Sequence, residues 1–369
     1  MSTSVVTAPQ AEPTTTEPVK AGPDRATVGK ALGITFGIPL IIGLMLWAFL
    51  APTFHSGPTG VPIAIVGPDQ AVTQLTQQAE QQEKHPDFVR ADSDGDAQRM
   101  IHDREVVGAV VMAPQGSTIY TATGNGAPYV QILNGMAQQM RAAGQQVEVT
   151  DLAPTTQADP QTSGLTLLGL PLAFGGIISA AGATFLLRGH KWLKLPALPA
   201  IAALGGGIAV WMLHHVYGTL GGNAWEEWLG ISMGIAATSM LTAGLAALIG
   251  TAGVPIGAVL TIFVSNPLSG LATGPWFLPA GWSTLGQSMP IGATGYLIRS
   301  LSYFAGGGAT RAWWVLSLWI ATGLVMLAFD RSERHHPAGQ QGRHESHHQP
   351  EHLAGQHAAP HTGQQVQPV

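Results

Sequence analysis

A handful of side chains in this sequence have the chemistry to hold a metal, move a proton or bind an ion. His214 and His215 stand shortly before Glu226 and Glu227, and imidazoles with carboxylates are ordinary zinc ligands. Adjacent residues on a helix point about 100° apart, so at most one of the two histidines faces any common point. Asp92, Asp94 and Asp96 have the spacing of a calcium loop, but Ala97 stands where that loop needs Gly and Asp103 where it needs a bidentate Glu. They read instead as a helix start with Asp96 as N-cap. His335, His336, His344, His347, His348, His352, His357 and His361 crowd the C-terminal tail, where low complexity gives no fixed ligand geometry. Arg299 is a lone charge in an apolar stretch. It reads either as a functional intramembrane cation or as an interfacial arginine that caps a short helix or snorkels to headgroups.

Catalysis finds no support among these residues. There is no cysteine, no Ser/His/Asp set and no carboxylate pair in the apolar segments. A phosphate-cradling loop needs G-x-x-x-x-G-K-[ST]; the one Gly-Lys pair, Gly29 and Lys30, is followed by Ala31 and has Asp24 in the leading position. The chain is therefore expected to be no enzyme, to carry no cofactor or metal, and to draw any energy from a partner.

The elements that must position these residues follow from composition. Only 10% of the 369 residues are charged, well under the roughly 25% of soluble proteins, and 46% are hydrophobic. Residues 160–187, 195–225 and 228–298 contain no Asp, Glu, Lys or Arg. Apolar runs of about 20 residues are what a helix needs to cross a bilayer. Such runs lie at 31–51, 165–187, 196–217, 229–250, 254–272 and 312–329. A soluble globular enzyme is excluded, and a net charge of −5 offers no surface for nucleic acid. The run at 31–51 exceeds a signal-peptide core and ends without a clean small-x-small site, so it is expected to be a retained helix.

Between the first two runs, residues 57–163 have the character of a water-soluble domain. Strands are expected at 61–67, near Phe88 and Val89, and at 106–113, 117–123 and 147–152, with helices at 69–84, 96–104 and 127–143. The alternation predicts a small α/β domain that folds by itself, with strands 61–67 and 106–113 adjacent and parallel. Residues 1–30 and 331–369 are expected to be disordered cytoplasmic segments. Residues 165–330 would form a five-helix membrane domain. Its stretch at 273–311 is apolar but interrupted by Pro275, Pro279 and Pro290, which predicts short re-entrant helices rather than one span.

Basic residues orient the chain. Lys20, Arg25 and Lys30 precede the first run; Arg188, Lys191 and Lys194 separate the second and third; Arg331, Arg334 and Arg343 follow the last. The positive-inside rule then places both termini in the cytoplasm and the α/β domain outside. Clustered small residues (Gly175, Gly176, Gly205 to Gly207, Gly230 and Gly234) read as helix-packing surfaces.

Residues 263–308 carry a more specific pattern. Asn266, Pro267, Ser269 and Gly270, then Leu278, Pro279 and Trp282, then Pro290, Gly292 and Ala293, and finally Arg299, Tyr303 and Phe304 resemble the last outer segment of exporter-type ABC-transporter permeases and of the phage infection protein family. The layout of one helix, a large outer domain and five more helices is similar too. The resemblance implies a homo- or heterodimer in a bacterial plasma membrane, surrounded by lipid and driven by a cytoplasmic ATP-binding subunit. The first reading is export of a hydrophobic or amphipathic compound, in which the broken, charge-poor stretch, with Pro279, Trp282, Pro290, Gly292, Tyr296, Arg299, Tyr303 and Phe304, would be an outer gate. Arg188, Lys191, Trp192 and Lys194, in a loop shorter than the family's docking element, would contact the ATPase. The alternative is a non-transporting envelope receptor or a scaffold for secretion and surface assembly.

Overall fold

The computed structural model describes residues 25–55, 57, 60–81, 85–279 and 281–329. The His-rich tail and residues 1–24 of the N-terminal arm lie outside them. Residues 25–30, expected to belong to that arm, are helical: α1 runs from Arg25 to His55. Nothing in Arg25-Ala26-Thr27-Val28 opposes a helix, and the apolar run downstream extends back through it. Most of the apolar side chains of α1, among them Leu32, Phe36, Leu40 and Leu46, are exposed. That surface suits hydrocarbon rather than water.

The mixed sheet comprises β1 (Pro62–Val66), β2 (Asp87–Arg90), β3 (Ala109–Ala113), β4 (Gly116–Thr121) and β5 (Val147–Asp151) in the order β2-β1-β3-β4-β5. β1 pairs parallel with both β2 and β3, as the strand-helix-strand pattern predicts, while β3 and β4 form an antiparallel hairpin and β5 runs parallel to β4. Helices α2 (Asp69–Glu80), α3 (Asp94–His102) and α4 (Ala127–Ala142) complete the layer. The N-cap of α3 is Ser93 rather than Asp96: the Ser93 hydroxyl accepts from the Asp96 amide, and the Asp96 carboxylate reaches back to the Asp92 amide. Asp96 thus occupies the reciprocal position of a capping box.

Alternate residues of β1 feed opposite faces, as a strand's two-residue period requires. Ile63 joins Val110, Ile119, Tyr129 and Leu133 under α4, and Ala64 joins Ala97, Ile101 and Ala109 under α3. Both cores are finished from far along the chain. Trp276 and Phe277 pack into the first, Phe304 and Tyr303 into the second.

Among the described residues, five helical stretches are long and apolar enough to cross a membrane: 25–51, 163–186, 191–216, 224–265 and 310–328. The second contains α5 (Ser163–Leu167) and α6 (Gly169–Leu186). The third contains α7 (Lys191–Val210) and a π-turn at Trp211–Val216. The fourth is α8 (Ala224–Ile249) followed by a reversal at Gly250, whose φ of 75° favours glycine, and then α9 (Gly253–Val259). The run expected to span 254–272 is therefore not one regular helix. It passes from α9 into a π-turn at Leu260–Ser265 and a single 3₁₀ turn at Pro267–Ser269, ending at Gly270. Its apolar composition does not distinguish these forms, whereas Pro267 and Gly270 break the ladder. The stretch at 273–311 is broken as expected into α10 (Trp282–Gln287) and α11 (Pro290–Tyr303) before α12 (Thr310–Ala328).

Helix α8 is the hub, packed by α6, α7, α9, α11 and α12. Small residues allow it: Gly176 of α6 lies on Thr238, Gly206 of α7 on Ser232, and Gly257 of α9 on Thr242, while Gly234 of α8 receives Thr294 of α11. In lipid, such close approach gains the dispersion contacts that hold helices together.

Candidate functional site: a buried cationic seam

Pro290 opens α11 at a position whose missing N–H costs nothing. The Ile291 amide donates to the Ser265 hydroxyl at 3.1 Å, fixing the start of α11 against the π-turn. From there α11 is buried along nearly its whole length, with helices on one side and the sheet layer at its C-terminal end.

Arg299 projects from α11 and is 3% exposed. Its Nη1 donates to Gly124 O at 2.8 Å and its Nη2 to Leu271 O at 3.1 Å. One guanidinium therefore joins three parts of the chain: the loop after β4, the broken segment and α11. Neither the capping nor the snorkelling role holds, because the group lies inside the protein and reaches carbonyls remote in sequence. The planar fork of arginine is what lets one side chain serve two acceptors.

A second cation lies on the same seam. Arg104, 2% exposed, has φ 59° and donates from Nη1 to Tyr296 O at 2.9 Å and to Ser300 Oγ at 2.7 Å. Its guanidinium sits 3.7 Å from the Tyr296 ring centroid and 5.1 Å from that of Phe304. Among the described residues no carboxylate pairs with either arginine. Carbonyl dipoles and ring faces carry the charge instead. Burial lowers the Arg104 pKa to about 10, so it stays charged at neutral pH. Among the described residues the Nε and Nη2 of Arg104 have no acceptor.

Tyr129 and Tyr303 brace the seam at two further points. The Tyr129 hydroxyl accepts from the Trp276 amide at 3.2 Å, and its ring meets Trp276 and Phe277 edge-on at 5.9 and 5.1 Å. Burial pushes its phenol pKa well up, keeping it neutral. The Tyr303 hydroxyl donates to Thr219 O at 2.8 Å. Beside it, the fully buried Glu227 carboxylate accepts from Ser302 Oγ at 2.7 Å, the Gly222 amide at 3.0 Å and His214 Nδ1 at 2.8 Å. His215 is exposed, so one histidine meets one carboxylate, and no group of three metal-ligating side chains occurs among the described residues.

The structure thus brings Tyr296, Arg299, Tyr303 and Phe304 together. Gly292 and Pro290 lie at the other end of α11, where Gly292 abuts the Gly286 carbonyl. Pro279 and Trp282 lie apart, with Trp282 edge-on to Trp47 of α1 at 6.1 Å. Of the residues assigned to partner contact, Arg188 and Trp192 are exposed, but Lys194 is buried and, with Lys191, belongs to the first turn of α7 rather than to a loop. Sequence reasoning missed Arg104 and Tyr129, because a basic residue and a tyrosine in a polar domain carry no mark of burial; the one local signal was the helix end at Arg104.

No family model, curated protein or solved structure matches the chain.

Proposed function

We propose that the chain is a permease-type membrane subunit that exports a hydrophobic or amphipathic compound, energised by a separate cytoplasmic ATPase. The supporting observation is Arg299, which ties the α/β layer, the broken segment and α11 at one buried point. A displacement of the α/β layer would then be passed to α11 and to the broken segment at Leu271, which is the coupling an outer gate needs. In this reading six passes are made, α9 through Ser269 serving as the fifth, and the α/β layer lies outside the plasma membrane of a bacterium with both termini in the cytoplasm. Subunits would pair as homo- or heterodimers.

The receptor or scaffold reading draws on a different observation. Only residues 187–190 separate α6 from α7, leaving little backbone for an ATPase to grip.

Two measurements test these readings. Reporter fusions after Ser163 should give an extracytoplasmic signal and fusions after Lys194 a cytoplasmic one; a cytoplasmic signal from the first would sink the topology. Cells producing the chain with an ATPase subunit from a neighbouring reading frame should extrude an amphipathic dye faster than cells lacking either protein. Equal extrusion would leave the scaffold reading.

A further inference from the structure

Away from the arginine seam, a cavity of about 750 Å³ opens between the start of α5–α6 and the π-turn that ends the α7 stretch. That volume lies within the range of drug-sized ligand sites, roughly 300–1,000 Å³. Leu167, Leu168, Pro171, Met212 and Leu213 make an apolar wall. The π-turn contributes Met212 and Leu213; such insertions in a regular helix are frequent at functional sites.

One charged side chain lines the cavity, and it is an acid. Asp159 is 6% exposed, and its two carboxylate oxygens each accept one amide, Oδ1 from Ser163 and Oδ2 from Gly164, both at 2.7 Å. A carboxylate has about four acceptor positions, so these bonds hold its orientation and leave acceptor capacity free. Among the described residues Asp159 has no basic partner. The nearest polar network holds one basic side chain, and it is bonded elsewhere: Thr219, also in the wall, takes the Tyr303 hydroxyl on its carbonyl, Tyr303 neighbours Ser302, which donates to Glu227, and Glu227 pairs with His214 of the π-turn. A buried carboxylate without a counter-ion, set in an apolar wall, complements a positively charged amphiphile.

We propose that this cavity binds a cationic amphiphile, its apolar body between α6 and α7 and its charge against Asp159. The inference gives the export reading a substrate class and rests on it for biological sense, but binding is measured independently of export. Tyr303, which contacts both the cavity wall through Thr219 and the Arg299 seam through Gly124, is the physical link between the two.

The test uses the full chain purified in a neutral maltoside. Tetraphenylphosphonium and tetraphenylborate serve as probes of similar size and opposite charge, measured by equilibrium dialysis against protein-free micelles. The cation should bind saturably and the anion should not displace it. Asp159→Asn should weaken cation binding at least tenfold. Met212→Trp, which narrows the cavity at its π-turn wall and leaves the Asp159 hydrogen bonds intact, should weaken binding even if the asparagine variant fails to fold. Equal binding of both ions, or binding unchanged in Met212→Trp, would overturn the proposal. Binding as expected in a chain that exports nothing with its ATPase would remove the export reading and leave this site; export of the cation unaffected by Met212→Trp would remove the site and leave the export reading.

Discussion

Arg299→Ala is expected to loosen the contact of the loop after β4 and of Leu271 with α11, while the layer and the helix keep their secondary structure and Arg104 still bonds Tyr296 O and Ser300 Oγ. The substitution removes donors to Gly124 O and Leu271 O, both within a buried seam. Hydrogen bonds from a charged donor contribute about 1.5–3 kcal/mol each, and carbonyls left without partners add a desolvation cost. Against this, Arg299 has no carboxylate partner, so its removal also relieves the cost of burying a charge. A net loss of about 2–4 kcal/mol follows, concentrated at the seam. Amide exchange at Gly124 and Asn125 should accelerate tenfold or more, with exchange in α8 unchanged. On the proposed export reading, export should fall further than the amount of folded protein in the membrane. Arg299→Lys separates the roles, because lysine keeps the charge and reaches at most one carbonyl well. If it restored neither exchange protection nor export, geometry rather than charge would be the requirement. Should protein level and export decline in step for both variants, the seam is structural only and the gate assignment is withdrawn.

How far the sequence discloses this arrangement depends on the range of the interactions. β1 and β3 were legible because each is a short apolar run and a helical stretch separates them, which makes a parallel pairing natural. The interruption of 273–311 was legible because proline cannot continue a helix. Arg299 itself stood out as a charge among apolar neighbours. Its partners did not, since Gly124 and Leu271 contribute backbone oxygens that have no side-chain signature. The same holds for Arg104, whose acceptor Tyr296 O lies 192 residues away. Lys194 reads as a loop residue because positive charge marks cytoplasmic edges, yet the helix begins at Lys191 and Lys194 is buried. Hydropathy saw the run at 254–272 as one span, because α-, π- and 3₁₀-turns share one composition.

Residues 57–163 expressed alone are expected to lose cooperative folding, although their sequence reads as a self-sufficient α/β domain. The reason is that each face of the sheet is closed from outside the segment. Phe304, 2% exposed, completes the core under α3, and Trp276 and Phe277 cover Tyr129 at the core under α4. Full burial of one large apolar side chain contributes about 1.5–3 kcal/mol. Losing Phe304 and the partial cover from Trp276, Phe277 and Tyr303 therefore removes about 4–7 kcal/mol, while solvation of Arg104 returns part of it. A domain of this size has about 5–15 kcal/mol in total, so the fragment is left marginal. It should show far-ultraviolet dichroism of an α/β protein, weak near-ultraviolet signal from Tyr129, and a broad thermal transition. In the full chain, Phe304→Ala should reproduce part of this loss, about 3–4 kcal/mol, read as a lower melting temperature for the α/β layer and faster exchange in β1 and β3. A fragment that melts sharply, at the temperature of the α/β layer in the intact protein, would show that the sheet needs nothing from α11. The seam would then be a docking contact between two finished bodies, and the mechanical coupling would have to pass through the hydrogen bonds of Arg299 and Arg104.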